Sequence, residues 1–212
     1  MIRINPMNDP NANQIRQQIR QLLGNWSPNP LITLQVGIEY ARDNLLVQCN
    51  RVRNGVTGTD DDRLRVALSR PDRCSVLVIP LLPDSRVVLN VRYCYAAARW
   101  SLELPRLDEQ DQDEGWRQAA ECCLAQGAGM VADQWSLVGN IYRDPHWSPT
   151  SLLLVLAKNC RRLPTKPGCD ANLVAGAIAV GADALEEMVR DGDIDCSNTL
   201  AGLAILRARG WR

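Results

Sequence analysis

The residues with the clearest bearing on chemistry lie between Glu114 and Met130, in the stretch EGWRQAAECCLAQGAGM. Side chains three and four apart on a helix share a face. Cys123, Gln126 and Gly127 therefore stand together, with Glu114 at the entrance to the helix. Built from carboxylates, such a face would hold a hard cation such as Mg²⁺, which needs oxygen ligands. The residues present supply a thiol, a neutral amide and no side chain, and a thiol is the wrong ligand for Mg²⁺. The adjoining pair Cys122 and Cys123 raises thiolate or redox chemistry. Only Arg117, a turn earlier, is placed to lower a thiol pKa, so packing of the helix face is the expected role.

Other candidates flank the helix. Glu103 and Glu114, with Asp108, Asp111 or Asp113, could form a relocated metal site. Loop carboxylates without a rigid scaffold rarely converge on a metal, so a solvated acidic loop is expected, with Glu114 favourable at the helix N-terminus. Arg92 and Arg99 could hold a phosphate. Trp100 and Trp147 could stack on a nucleobase, although such aromatic residues more often pack in a core or an interface. His146, the only histidine, could serve as a general base. It has no identifiable partner, and loop packing or ligand stacking is the expected role.

These side chains need a scaffold, and the chain is long enough to build one. Its 212 residues, 46% hydrophobic and 23% charged, suit an ordinary globule of one domain with a small addition. Formal net charge is zero, so no global field draws the chain to nucleic acid or an anionic membrane. Residues 1–14 hold no apolar run and no window approaches a membrane span. The eight cysteines show no C-x-x-C pair. They are expected to be reduced thiols in a cytoplasmic protein without a zinc site.

Hydrophobic periodicity gives the elements. Asn13–Leu23 places Ile15, Ile19, Leu22 and Leu23 on one helical face. Strand-like runs follow at Leu31–Tyr40, Asn44–Arg53 and Arg63–Ser69, broken by Asn54–Gly55 and Gly58–Asp62. Cys74–Leu82 is a continuous apolar run of buried-strand type, followed by strands at Arg86–Tyr95 and Trp100–Leu104. Residues 108–114 read as an acidic loop. Gly115–Ala128 reads as a helix whose stripe is Trp116, Ala119, Ala120, Cys123 and Leu124. Strands at Trp135–Tyr142 and Ser151–Ala157 surround an irregular loop, and an excursion at Asn159–Ala171 leads to a strand at Leu173–Val180. Helices at Asp183–Arg190 and Ser197–Arg209 close the chain. The order is α+β and not an alternating βαβ array.

With these elements in order, the chain resembles the Nudix hydrolases, and within them the ADP-ribose pyrophosphatase branch. The family box is G-x5-E-x7-R-E-U-x-E-E-x-G-U, with U bulky and apolar. Counting from Glu114, Cys122 falls on the Arg position, and Cys123, Gln126 and Gly127 fall on the three Glu positions. Leu124, Gly129 and Met130 satisfy the U, G and U positions, Ala119–Ala120 match the pair common before the arginine, and Asp108 holds the opening Gly position. Outside the box, VVLNVRYCY (87–95) is similar to the strand leading into Arg-Gln-Tyr-Arg, and RWSLELP (99–105) to the Leu-Glu-Leu-Pro approach. VGNIYRDPHWSPT (138–150) is similar to the Tyr-x-x-Pro-Gly loop, and residues 184–206 to the closing helices. The resemblance spans residues 72–209.

The resemblance implies a Nudix α/β/α sandwich with a mixed sheet over residues 71–212. It also implies an N-terminal helix and antiparallel strands over 1–70 that form a dimerisation subdomain. The family uses Mg²⁺ to hydrolyse a diphosphate bond, and the departures remove that chemistry. Cys122, Cys123, Gln126 and Gly127 replace the box arginine and glutamates. Thr150 stands where the branch carries a further Glu, and Tyr95 replaces a substrate-contacting Arg, while Arg92 remains. Arginine and carboxylates are lost together, which avoids one buried charge without its partner. The expectation is a degenerate Nudix protein that binds an ADP-ribose-like nucleotide or a protein partner as a homodimer, with no cofactor and no nucleic acid or membrane partner. Arg92, Arg99, Glu103 and Trp147 are its candidate ligand contacts. The alternative is an active nucleoside-diphosphate-sugar pyrophosphatase, with Mg²⁺ held among Glu103, Asp108, Asp113 and Glu114. A Nudix-type transcription regulator is disfavoured, because no basic recognition helix follows residue 160.

Overall fold

The computed structural model describes residues 30–42, 45–68, 73–111, 115–164 and 174–211, together with Gln14, Ile15, Gln17, Gln18 and Gln21, which are helical. The rest of the expected helix Asn13–Leu23 lies outside the described residues. The chain divides into two compact units, Met1–Ser69 and Arg70–Arg212.

In the first unit, β1 (Leu31–Gln35), β2 (Ile38–Arg42), β3 (Leu45–Asn54) and β4 (Asp60–Leu68) form an antiparallel sheet centred on β3. One edge of β3 is shared: Leu31 pairs with Asn54, and Ile38 pairs with Gln48. The expected single strand Leu31–Tyr40 is thus two strands. The chain breaks at Val36–Gly37, where the edge of β3 passes from one partner to the other. β4 begins at Asp60 rather than Arg63, because Arg53 and Arg51 of β3 pair with Asp60 and Asp62 across the hairpin. Asn54 closes that hairpin by accepting the backbone N–H groups of Val56 and Thr57. Ile32, Leu34, Ile38 and Tyr40 are exposed in this unit.

The second unit contains two main sheets. One is mixed, in the order β10 (Gln134–Tyr142), β11 (Ser151–Lys158), β5 (Arg73–Pro80), β8 (Arg106–Asp111), with β11 parallel to β5. The other is antiparallel, in the order β13 (Val174–Val180), β6 (Val87–Cys94), β7 (Arg99–Glu103). The short strands β9 (Met130–Val131) and β12 (Arg161–Arg162) pair with each other. Three helices flank the sheets: α1 (Gly115–Ala128), α2 (Ala182–Asp191) and α3 (Ser197–Ala208).

Alternation along the apolar strand β5 explains the layers. Successive strand side chains point to opposite faces. Val76 and Val78 join Ala119, Ala120, Cys123 and Leu124 of α1 in one core. Leu77 and Ile79 join Leu203 and Leu206 of α3 in the other. The sheet is thereby buried on both sides, as a continuous apolar run requires. β6 divides in the same way, with Val88 toward α1 and Val87 and Leu89 toward α3. One expectation changes here: residues 108–111 continue strand β8, with Gln110 opposite Cys74 and Asp111 opposite Arg73. An edge strand needs only backbone pairing on its inner side, so a polar run can extend it. No helix among the described residues is long and apolar enough to cross a membrane.

Candidate functional site

Helix α1 lies against the face of the antiparallel sheet that carries alternate residues of β6. Asn90 stands opposite Glu103 of β7, and Arg92 stands opposite Ser101. Asn90 is 2% exposed and Glu103 is 6% exposed, which is unusual for both residue types. Asn90 Oδ1 has no hydrogen-bond partner among the described residues. Arg92 is half-buried, and among the described residues it has no ion pair or side-chain hydrogen bond. Arg92 and Glu103 are therefore brought to one face, close to the end of α1.

From the helix side, Gly127 closes this face. A Cβ at Gly127 would lie 3.1 Å from Asn90 Nδ2 and 3.4 Å from Pro105 Cβ. The space that a side chain would take is already filled. Cys123, 2% exposed, is part of the apolar core with Val76, Val78 and Val155. Cys122 and Gln126 are half-buried. A thiol in an apolar core, a neutral amide and a glycine packed on an amide do not fit Mg²⁺, which asks for several oxygen ligands in octahedral array. Among the described residues no group of three His, Cys, Asp or Glu could hold a metal ion. Asp113 and Glu114 lie outside the described residues. So does the Asp108 side chain, although its backbone is in β8.

The remaining candidates disperse. Arg99, at the far end of β7, forms an ion pair with Asp195. Trp147 is 54% exposed in a turn where Asp144 accepts the backbone N–H of His146. Thr150 shares a hydrogen bond with Ser148 at 3.0 Å, and Tyr95 is exposed in the turn after β6. Trp100 makes an edge-to-face contact with Tyr93, their ring centroids 5.5 Å apart.

Sequence reasoning missed Asn90 and Cys94. Asn90 carried a signal, as the one polar residue in the run VVLNV. Cys94 donates its S–H to Glu103 Oε1 at 2.9 Å. Burial and this carboxylate neighbour push the Cys94 thiol up to about 11. The fold therefore holds the proton that the unfolded chain releases near pH 8.5. The stability contributed is whole below that value and is lost as pH rises toward about 11. Alkylation of Cys94, followed by peptide mass mapping, will be slow at pH 8 and will accelerate toward pH 11, and Glu103→Gln will move the profile to lower pH. A profile centred near 8.5 in the unmodified protein would show that the thiol does not feel Glu103.

The mixed sheet, its antiparallel companion and the flanking helices make a Nudix-like α/β/α sandwich. Among solved structures, a crystal structure described as an ADP compounds hydrolase matches with a TM-score of 0.74. The match covers 88% of this chain and 99% of that one, at 16% sequence identity. No family model matches the chain, and no curated protein matches it in sequence.

Proposed function

We propose that this chain is a catalytically degenerate protein on the Nudix fold, which binds an ADP-ribose-like nucleotide without Mg²⁺-dependent hydrolysis. The observation that carries this reading is the closure around Gly127, where Asn90 and Pro105 occupy the space a third carboxylate would need. The described hydrogen bonds and ion pairs leave half-buried Arg92 available to a diphosphate on the same face. A guanidinium suits that role because its planar fork matches phosphate oxygens. The protein is a cytoplasmic homodimer in this reading, joined through the first unit, whose exposed Ile32, Leu34, Ile38 and Tyr40 supply apolar surface. A protein partner in place of the nucleotide is the variant of this reading that a missing nucleotide response would favour.

Thermal melting with ADP-ribose, with and without Mg²⁺, tests it. Ligand at about 100 times its Kd stabilises by about 2.7 kcal/mol. The expected result is a rise in Tm that does not need metal and that Arg92→Gln removes, with no AMP released above an EDTA control. Turnover abolished both by EDTA and by Glu114→Gln would instead establish an active pyrophosphatase with a relocated metal site, for which buried Glu103 is the strongest described candidate.

A further inference from the structure

A cavity of about 570 Å³ opens beside the end of α1, between the start of β6, strand β13 and the β9–β12 pair. Arg86, Arg161 and Arg162 line it. Arg162 is registered with Met130, also in the wall, and Arg161 with Val131, outside it, so Arg162 is the one of the two that faces inward. No carboxylate lines it among the described residues. Arg92, Glu103 and Gly127 are not in its wall, although Val88, and Ala177 opposite Asn90, place it further along the same sheet face.

Arg161 and Arg162 are incompletely neutralised. Arg86 is paired: its Nε and Nη2 donate to Asp84 Oδ2 at 2.8 and 2.7 Å, so it offers a supporting charge only. Arg161 stands 3.7 Å from Asp133, beyond hydrogen-bond reach. Arg162 has no ion pair or side-chain hydrogen bond among the described residues. The C-terminus of α1 attracts cations through its dipole, which offers a purely structural reason for basic residues here. Neither Arg161 nor Arg162 donates to the last carbonyls of α1, and Gly129 O accepts the backbone N–H of Leu163 instead. Helix capping therefore does not account for them.

The rest of the wall also suits an anion. Four consecutive residues of β13, Gly176–Ala179, border the cavity. Among the described strands β13 pairs only with β6, so its outer edge presents backbone N–H groups without ladder partners. A pocket of several hundred Å³ is of small-molecule size. With the whole chain neutral, no wider field favours a polyanionic polymer.

We propose that this pocket binds a phosphate or diphosphate group of a small molecule, held by Arg162 with support from Arg86. Inorganic pyrophosphate is the probe, titrated calorimetrically without metal at low salt, with backbone amide shifts followed by NMR. The expected result is saturable binding that shifts the amides of Gly176–Ala179 and Met130, and that R161Q/R162Q weakens at least tenfold. Both arginines are exposed, and the single variant R162Q will carry most of the loss. Absence of saturable binding overturns the proposal. So does binding that is lost in Arg92→Gln and kept in R161Q/R162Q, because pyrophosphate would then occupy the face beside Gly127.

Discussion

Glutamate placed at positions 123, 126 and 127 will destabilise the second unit severely and will not create a Mg²⁺-dependent hydrolase. Cys123 is in the apolar core beside α1. A carboxylate there is taken out of water without a partner, which costs several kcal/mol per ion. The group will hold its proton to escape part of that cost. Cys123→Glu will accordingly lose stability as pH rises above the ordinary glutamate value of about 4.3, because the unfolded chain gives up its proton first. Gly127→Glu must displace Asn90 or Pro105, an overpacking cost of about 1–3 kcal/mol. Gln126→Glu changes a half-buried amide to an isosteric acid and will be the mildest of the three. Together these costs are comparable with a whole domain's stability of about 5–15 kcal/mol. Thermal melts at pH 5 and pH 8 will show the triple variant unfolded or far less stable, with the deficit larger at pH 8. A folded triple variant that releases AMP from ADP-ribose would mean that the metal face was never closed.

The elements that place the site could be read from the sequence because their signals are local. The 3.6-residue period of Ala119, Ala120, Cys123 and Leu124 gave α1 its boundaries and its buried face. The apolar run around Val76–Ile79 gave β5. The spacing of Leu124, Gly129 and Met130 pointed to the sandwich, because apolar and glycine positions shape the helix and its exit. What could not be read depends on what lies across from each residue. The acidic composition of residues 108–111 hid a strand whose only requirement is the backbone of β5. Gly127 looked like a missing ligand, and its contact with Asn90 joins residues 37 apart that no local pattern connects. Glu103 read as part of an acidic group. Its burial comes from β6, α1 and the hydrogen bond from Cys94. The basic pocket was hidden for the same reason, since Arg86 and Arg162 border one cavity only when β6 and β12 are folded.

Gly202→Leu is the second change with a large expected effect, and it acts on the site from behind. Gly202 is in α3, where a Cβ would lie 2.7 Å from Leu104 Cδ1 and 3.2 Å from Leu77 Cδ2. Both leucines are fully buried, so neither can swing into free space. Alanine brings opposing effects: a gain of about 1 kcal/mol in helix propensity over glycine and an overpacking cost of about 1–3 kcal/mol. Leucine adds three further carbons to the same contact, and the steric cost dominates. Leu104 is held by its own backbone N–H, which donates to the buried Thr199 Oγ1 of α3 at 3.0 Å. Strain at Gly202 therefore transmits to Glu103–Pro105, the segment that faces Asn90 and Gly127. Urea denaturation will show Gly202→Leu destabilised by about 3 kcal/mol or more and Gly202→Ala by much less. Leu104→Ala alone will cost about 2–5 kcal/mol through the cavity it leaves. The double variant Gly202→Leu with Leu104→Ala will be more stable than the sum of the single changes predicts, because the added and removed volumes meet at one contact. Strict additivity would show that the two side chains do not share that space, and that α3 does not position the Glu103 segment.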